Sequence, residues 1–118
     1  MGLIDQIKSA NDLGREKCTV PEWGVEFYLQ SMTAGEREIY EERLYRSKGA
    51  DGKVSLKGLR ARVIIACARD EAGQPVFTDQ DAAVLQNKSG AVLDRISNRA
   101  LKISGLVDAD ELKEIEEN

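Results

Sequence analysis

The stretch from Leu56 to Ala68, Leu-Lys-Gly-Leu-Arg-Ala-Arg-Val-Ile-Ile-Ala-Cys-Ala, limits the folds open to this chain more than any other. Nine of its thirteen residues are apolar, and Val63 to Ala68 runs six residues without a polar break. Two readings compete for it. A buried strand suits Val63-Ile64-Ile65, because β-branched side chains fit a pleated surface. A helix suits the whole length better, since strands rarely reach thirteen residues and the apolar positions 56, 59 and 63 keep helical spacing. From Val63 onward the apolar residues spread around the full circumference, so such a helix has to be covered on every side. The sequence therefore predicts a central helix over 56–69, started by a cap at Ser55, with Lys57, Arg60 and Arg62 near its wetter N-terminal half.

The segments around it supply the cover. Leu3, Ile4 and Ile7 share one face and predict a short leading helix over residues 2–10, inside a lead and linker of residues 1–16. Lys17 to Val20 and Val25 to Gln30 read as the two arms of a small antiparallel hairpin, with Pro21-Glu22-Trp23-Gly24 as its turn. Val25, Phe27 and Leu29 alternate onto one face, which must lean on helices because an isolated hairpin is barely stable in water. Thr33-Ala34-Gly35-Glu36 is a capping box. The helix after it runs from acidic to basic, as its dipole prefers, pairs Glu42 with Arg46, and predicts Ile39, Tyr40 and Leu44 as its inward stripe.

Beyond the central helix, Asp70 to Pro75 forms a polar loop and Val76-Phe77 a short apolar anchor. Thr78 and Asp81 cap a further helix, and Ser89 caps the next. That one carries Val92, Leu93, Ile96, Ala100 and Ile103 on one face and stops at Gly105, with Leu106 trailing. A last helix over 108–118 starts at Asp108 and presents Leu112 and Ile115. The expectation is one α+β domain, mostly α, with five or six helices around the central helix and one hairpin over 17–30. A core over 17–107 carries the fold, and the acidic helix closes it.

Catalytic chemistry finds little to work with. The 118 residues contain no histidine, which removes the commonest general base and metal ligand. Cys18 and Cys67 are too far apart in sequence to suggest a zinc site, and packing in a reducing compartment accounts for them better than a disulfide. No phosphate-cradling or dinucleotide fingerprint is present. Asp79 with Asp81, and Asp108 with Asp110, sit at helix starts, where acids serve as caps. No catalytic, cofactor-binding or metal-binding residue is assigned. The N-terminus has no signal-peptide pattern, and no apolar run has the length of a membrane span.

Charge is distributed with more purpose. From Arg43 to Arg69 eight bases face Asp51 alone, a net of +7, while Asp108 to Asn118 holds six acids and one base, a net of −5. The plainer reading makes both solvated surfaces. The sharper one has Arg43, Arg46, Lys57, Arg60 and Arg62 of one copy meeting Glu111 and Glu114 of the next, a head-to-tail contact that salt would weaken. Nucleic acid fits poorly, since an overall pI near 4.9 repels phosphate and no recognition motif is present. Trp23, the only tryptophan, and the Leu112/Ile115 pair are either core packing or partner anchors.

Two stretches resemble a known family. Thr19-Val20-Pro21-Glu22-Trp23-Gly24 leading to Met32-Thr33-Ala34-Gly35-Glu36-Arg37 is similar to the opening of tail assembly chaperones of bacteriophages with long, non-contractile tails. Asp70-Glu71-Ala72-Gly73-Gln74-Pro75-Val76-Phe77-Thr78-Asp79-Gln80-Asp81 is similar to a second segment of that family, and both occur in the family's order. The chain departs from the pattern at Val25, where the family has a second glycine. The resemblance implies a chaperone that binds the tape measure protein and keeps it soluble in the host bacterial cytoplasm. It also implies promotion of tail tube polymerisation, contact with the tail tube protein through a longer frameshifted form, and absence from the finished virion. The charge patches add a homo-oligomer to that picture. The competing class is a head–tail connector that stays in the particle.

Overall fold

A computed structural model describes residues 2–52 and 58–106. The apolar stretch does form the helix around which the rest is packed, α3 (Leu59–Cys67), with Leu59, Ala61, Val63, Ile64 and Cys67 buried. The helix is shorter at both ends than the expected 56–69. It starts at Leu59 because Gly58, at φ 74°, takes the cap position in the left-handed region, which glycine enters without a Cβ clash. Ser55, expected as the cap, lies outside the described residues. At the other end Ala68–Arg69 leave the helix as a short strand, β3, that pairs antiparallel with β2. The edge of β2 offers these two residues backbone partners, and a turn with Gly73 at φ 87° brings Pro75 back alongside Arg69.

The expected hairpin is therefore two-thirds of a three-stranded antiparallel sheet, in the order β1-β2-β3. β1 (Arg15–Val20) begins two residues before the predicted Lys17 and pairs with β2 (Val25–Gln30) in a register from Arg15↔Gln30 to Val20↔Val25. The tip is one tight helical turn, Pro21–Trp23, closed by Gly24 at φ 66°. Cys18, Val20, Phe27 and Leu29 point into the core, but Val25, expected beside Phe27 and Leu29, is 44% exposed where the strand meets the turn.

Four further helices frame this centre among the described residues, and the helix expected to start at Asp108 lies outside them. α2 (Ala34–Arg46) starts on the predicted capping box, with the Glu36 amide donating to Thr33 Oγ1 at 3.1 Å and the Thr33 amide donating to Glu36 Oε1 at 2.9 Å. Tyr40 is buried and Leu44 half-buried, whereas Ile39, the third member of the expected inward stripe, is 54% exposed. The α2 face in contact with the core is narrower than its apolar pattern, so Ile39 falls on its margin. α4 (Ala82–Gln86) follows the Thr78 turn, where the Asp81 carboxylate accepts from the Thr78 amide at 2.8 Å.

The long helix α5 (Gly90–Ile103) buries Val92, Leu93, Ile96, Ala100 and Leu101. Ser89 holds its cap position without a side-chain cap bond. Gly105 at φ 78° ends it, and the Leu106 amide donates to the Leu101 carbonyl at 2.8 Å. That bond spans the same positions as the Schellman closure. The leading helix α1 (Leu3–Ser9) forms as expected and buries none of its residues.

Two arginines one turn apart on α5 tie it to the sheet. Arg99 donates to Glu16 at 2.9 Å and to the Lys17 carbonyl, and Arg95 grips both oxygens of Glu22 at 2.8 Å. The Arg95 hydrogen bonds hold the Glu22 carboxyl well below its ordinary 4.5, at about 2. A depressed folded pKa gives a contribution that is complete above the unfolded value and fades as pH falls through the folded one. Melting temperatures of the native chain and Arg95→Gln should thus differ by a constant amount from pH 7 to about 5, and converge toward pH 2.

Candidate functional site: two surface grooves

Among the described residues, the hairpin tip builds the more apolar of two grooves. The tight turn sets Trp23 on the outside of the core, half-buried, and Phe77 reaches the same place from the segment after β3. Phe27 and Phe77 meet edge to face, with centroids 6.0 Å apart and planes at 81°, the arrangement that aromatic quadrupoles favour. Val25, Val76 and Val84 form the walls and remain 44%, 38% and 58% exposed. The groove encloses about 580 Å³, with Glu22, Glu26 and Lys88 on its rim. Trp23 packs on the core with one side, as the first of its two readings expects, and lines an open groove with the other.

Sequence reasoning missed Val84 and Val76 as members of this surface. A signal was present at Val84. It sits next to Leu85 on a five-residue helix, adjacent residues project about 100° apart, and only Leu85 is buried.

The second groove runs between α2 and α3, encloses about 190 Å³, and is lined by Ile39, Tyr40, Leu59 and Ile65 together with Arg43 and Arg62. It carries part of the predicted basic surface. Arg46 pairs with Glu42 at 2.6 Å, Arg60 with Asp94, and Arg69 with Glu36 at 3.7 Å. Arg43 and Arg62 form no ion pair among the described residues. Lys57, and the Leu112, Ile115, Glu111 and Glu114 expected to meet partners, lie outside the described residues. The structure thus brings Arg43 and Arg62 to one groove and commits Arg46 and Arg60 to partners within the chain.

The thiols and carboxylates take structural positions. Cys18 and Cys67 are free and buried. Burial raises both thiols, Cys67 to about 11, so neither supplies a thiolate near neutral pH. Asp81 is occupied as a cap. Among the described residues no group of three or more His, Cys, Asp or Glu side chains could hold a metal ion, and no helix is long and apolar enough to cross a membrane.

A small three-stranded sheet backed by helices, with two apolar grooves among the described residues, defines an α+β module that is mostly α. The family model described as phage tail assembly chaperone matches residues 7–116, and the chain belongs to that family. Its fold is similar to that in the structure of the bacteriophage HK97 tail assembly chaperone, with a TM-score of 0.60 and 21% identity over 85% of this chain and 95% of that one. No curated protein matches the chain.

Proposed function

We propose that this chaperone binds the tape measure protein, keeps it soluble in the host bacterial cytoplasm, promotes polymerisation of the tail tube around it, and is absent from the mature virion. The observation that carries this reading is the exposed apolar groove at Trp23. Several large apolar side chains kept open to water on one patch mark a protein-docking surface, and an aromatic flanked by aliphatic walls fits the apolar stripe of an amphipathic helix. A longer frameshifted form would bring in the tail tube protein. Copies of the chain associate with one another, and Arg43 and Arg62 are the cations open to the acidic segment that carries Glu111 and Glu114. The role is one of binding, and the reading contains no catalytic step.

Co-expression with the tape measure protein tests it. The expected result is that the tape measure protein moves from the insoluble to the soluble fraction and co-purifies with this chain. A tape measure protein that stays insoluble in its presence overturns the reading. Mass spectrometry of purified particles separates it from the connector class, because a connector is found in the particle.

A further inference from the structure

The groove between α2 and α3 has an apolar floor and uncommitted positive charge on both walls. Leu59 and Ile65 line it, Ile39 is 54% exposed at its edge, and Arg43 and Arg62 come from one helix each. Of its two carboxylates, Glu36 is held by the Thr33 amide and by Arg69. Asp79 forms no ion pair among the described residues. Two cations against one carboxylate, beside exposed apolar surface, suit an occupant with an apolar stripe and an acidic border.

The segment after Leu106 has that pattern. Leu112 and Ile115 are spaced one helical turn apart, and Glu111 and Glu114, each one residue earlier, border them at the same spacing. The segment also starts at the groove. The Met32 amide donates to Ser104 Oγ at 2.9 Å, and Met32 lines the near end. Gly105 lies beside α2, where a Cβ on it would stand 3.8 Å from Arg37 Nη1. Glu36 at the start of α2 pairs with Arg69 just past the end of α3, so the two helices run antiparallel and Arg43 and Arg62 mark the far end. At helical rise Glu36 and Arg43 are about 10 Å apart, and the five residues from Leu106 to Glu111 span up to about 17 Å.

We propose that residues 107–118 fold back along the α2/α3 groove of their own chain, with Leu112 and Ile115 over Ile39 and Ile65 and with Glu111 and Glu114 beside Arg43 and Arg62. This rests on the reading that these cations meet the acidic segment, and it places the meeting inside one chain. So short a tether holds the segment at an effective concentration of roughly millimolar at its own groove, above that of a neighbour's segment in dilute solution. The Trp23 groove shares no lining residue with this one, so it stays open to a client while the segment is seated. An acidic partner has to displace the segment before it reaches Arg43 and Arg62.

A nitroxide spin label on Asn118→Cys, in the otherwise native isotope-labelled chain, tests the contact by nuclear magnetic resonance. Cys18 and Cys67 are buried with raised thiols, so the label goes to the new site. The amide signals of Ile39 and Ile65 should broaden away, while those of Trp23 and Val84 persist. In an equal mixture of isotope-labelled chain without nitroxide and nitroxide-labelled chain without isotope, all of these signals should persist. Arg43→Glu/Arg62→Glu should bring back the Ile39 and Ile65 signals in the spin-labelled chain. Adding Glu111→Arg/Glu114→Arg should broaden them again, which a substitution that merely disturbed the groove would not allow. Ile39 and Ile65 signals that persist beside the nitroxide overturn the contact, and with it the pairing of the acidic segment with Arg43 and Arg62. Signals that broaden equally in the mixture overturn its place within one chain and leave the pairing between copies. Solubilisation of the tape measure protein runs through the other groove and is read separately by co-expression.

Discussion

Truncating Ile64 to alanine should cost about 3 kcal/mol of folding free energy, read as a fall in melting temperature of roughly 10–15 °C for a domain of this size. Ile64 is fully buried on the helix that the sheet, α4 and α5 enclose. Removing its outer carbons forfeits their transfer from water, and it leaves a void that elements on several sides cannot collapse into together. The same truncation at Ile39 is the control. That side chain is 54% exposed on α2, and Ile39→Ala should change stability by no more than about 0.5 kcal/mol. Thermal unfolding of the two variants checks the assignment of centre and margin. Equal losses would mean that α3 is not the enclosed element.

The same pair of isoleucines shows what the sequence could reveal. Ile64 sits in a run with no polar position, so any orientation of the helix buries it. Ile39 sits beside Tyr40, and an amphipathic helix two residues wide on its apolar side can rotate either one inward. The partner surface decides, and that surface is tertiary. Capping chemistry was readable because it is local: Thr33 with Glu36 and Thr78 with Asp81 satisfy one another within one turn. The third strand was hidden for the opposite reason. Ala68-Arg69 continue an apolar helical pattern, and only the open edge of β2, some forty residues earlier, turns them into a strand.

The candidate site divides along the same line. Trp23 was visible as a lone tryptophan in a turn, but the groove needs Phe27, Phe77 and Val84 brought together from three separate segments. The basic patch was visible as a count of charges and overstated by it. Arg46, Arg60 and Arg69 find acids within the fold, and those acids, Glu42, Asp94 and Glu36, lie outside the basic stretch 43–69.

Val84→Glu should abolish solubilisation of a co-expressed tape measure protein while leaving the fold intact. Val84 is 58% exposed on α4, so a carboxylate there remains hydrated in the free chain and stability should move by about 0.5 kcal/mol or less. Once an apolar helix closes over the groove, that carboxylate loses its water beside aromatic and aliphatic walls. The Lys88 on the rim is the cation nearest in kind, but it sits where solvent still competes for it. A stranded charge of this sort costs on the order of 3 kcal/mol, which weakens binding by roughly a hundredfold. The expected result is a tape measure protein returned to the insoluble fraction, beside a chaperone whose melting temperature is unchanged. Ile39→Glu, which places the same charge on the α2/α3 groove, should leave capture intact. The reverse pattern, with Ile39→Glu defective and Val84→Glu normal, would move the client to the groove that holds Arg43 and Arg62. The site would then be one that reads acidic as well as apolar chemistry.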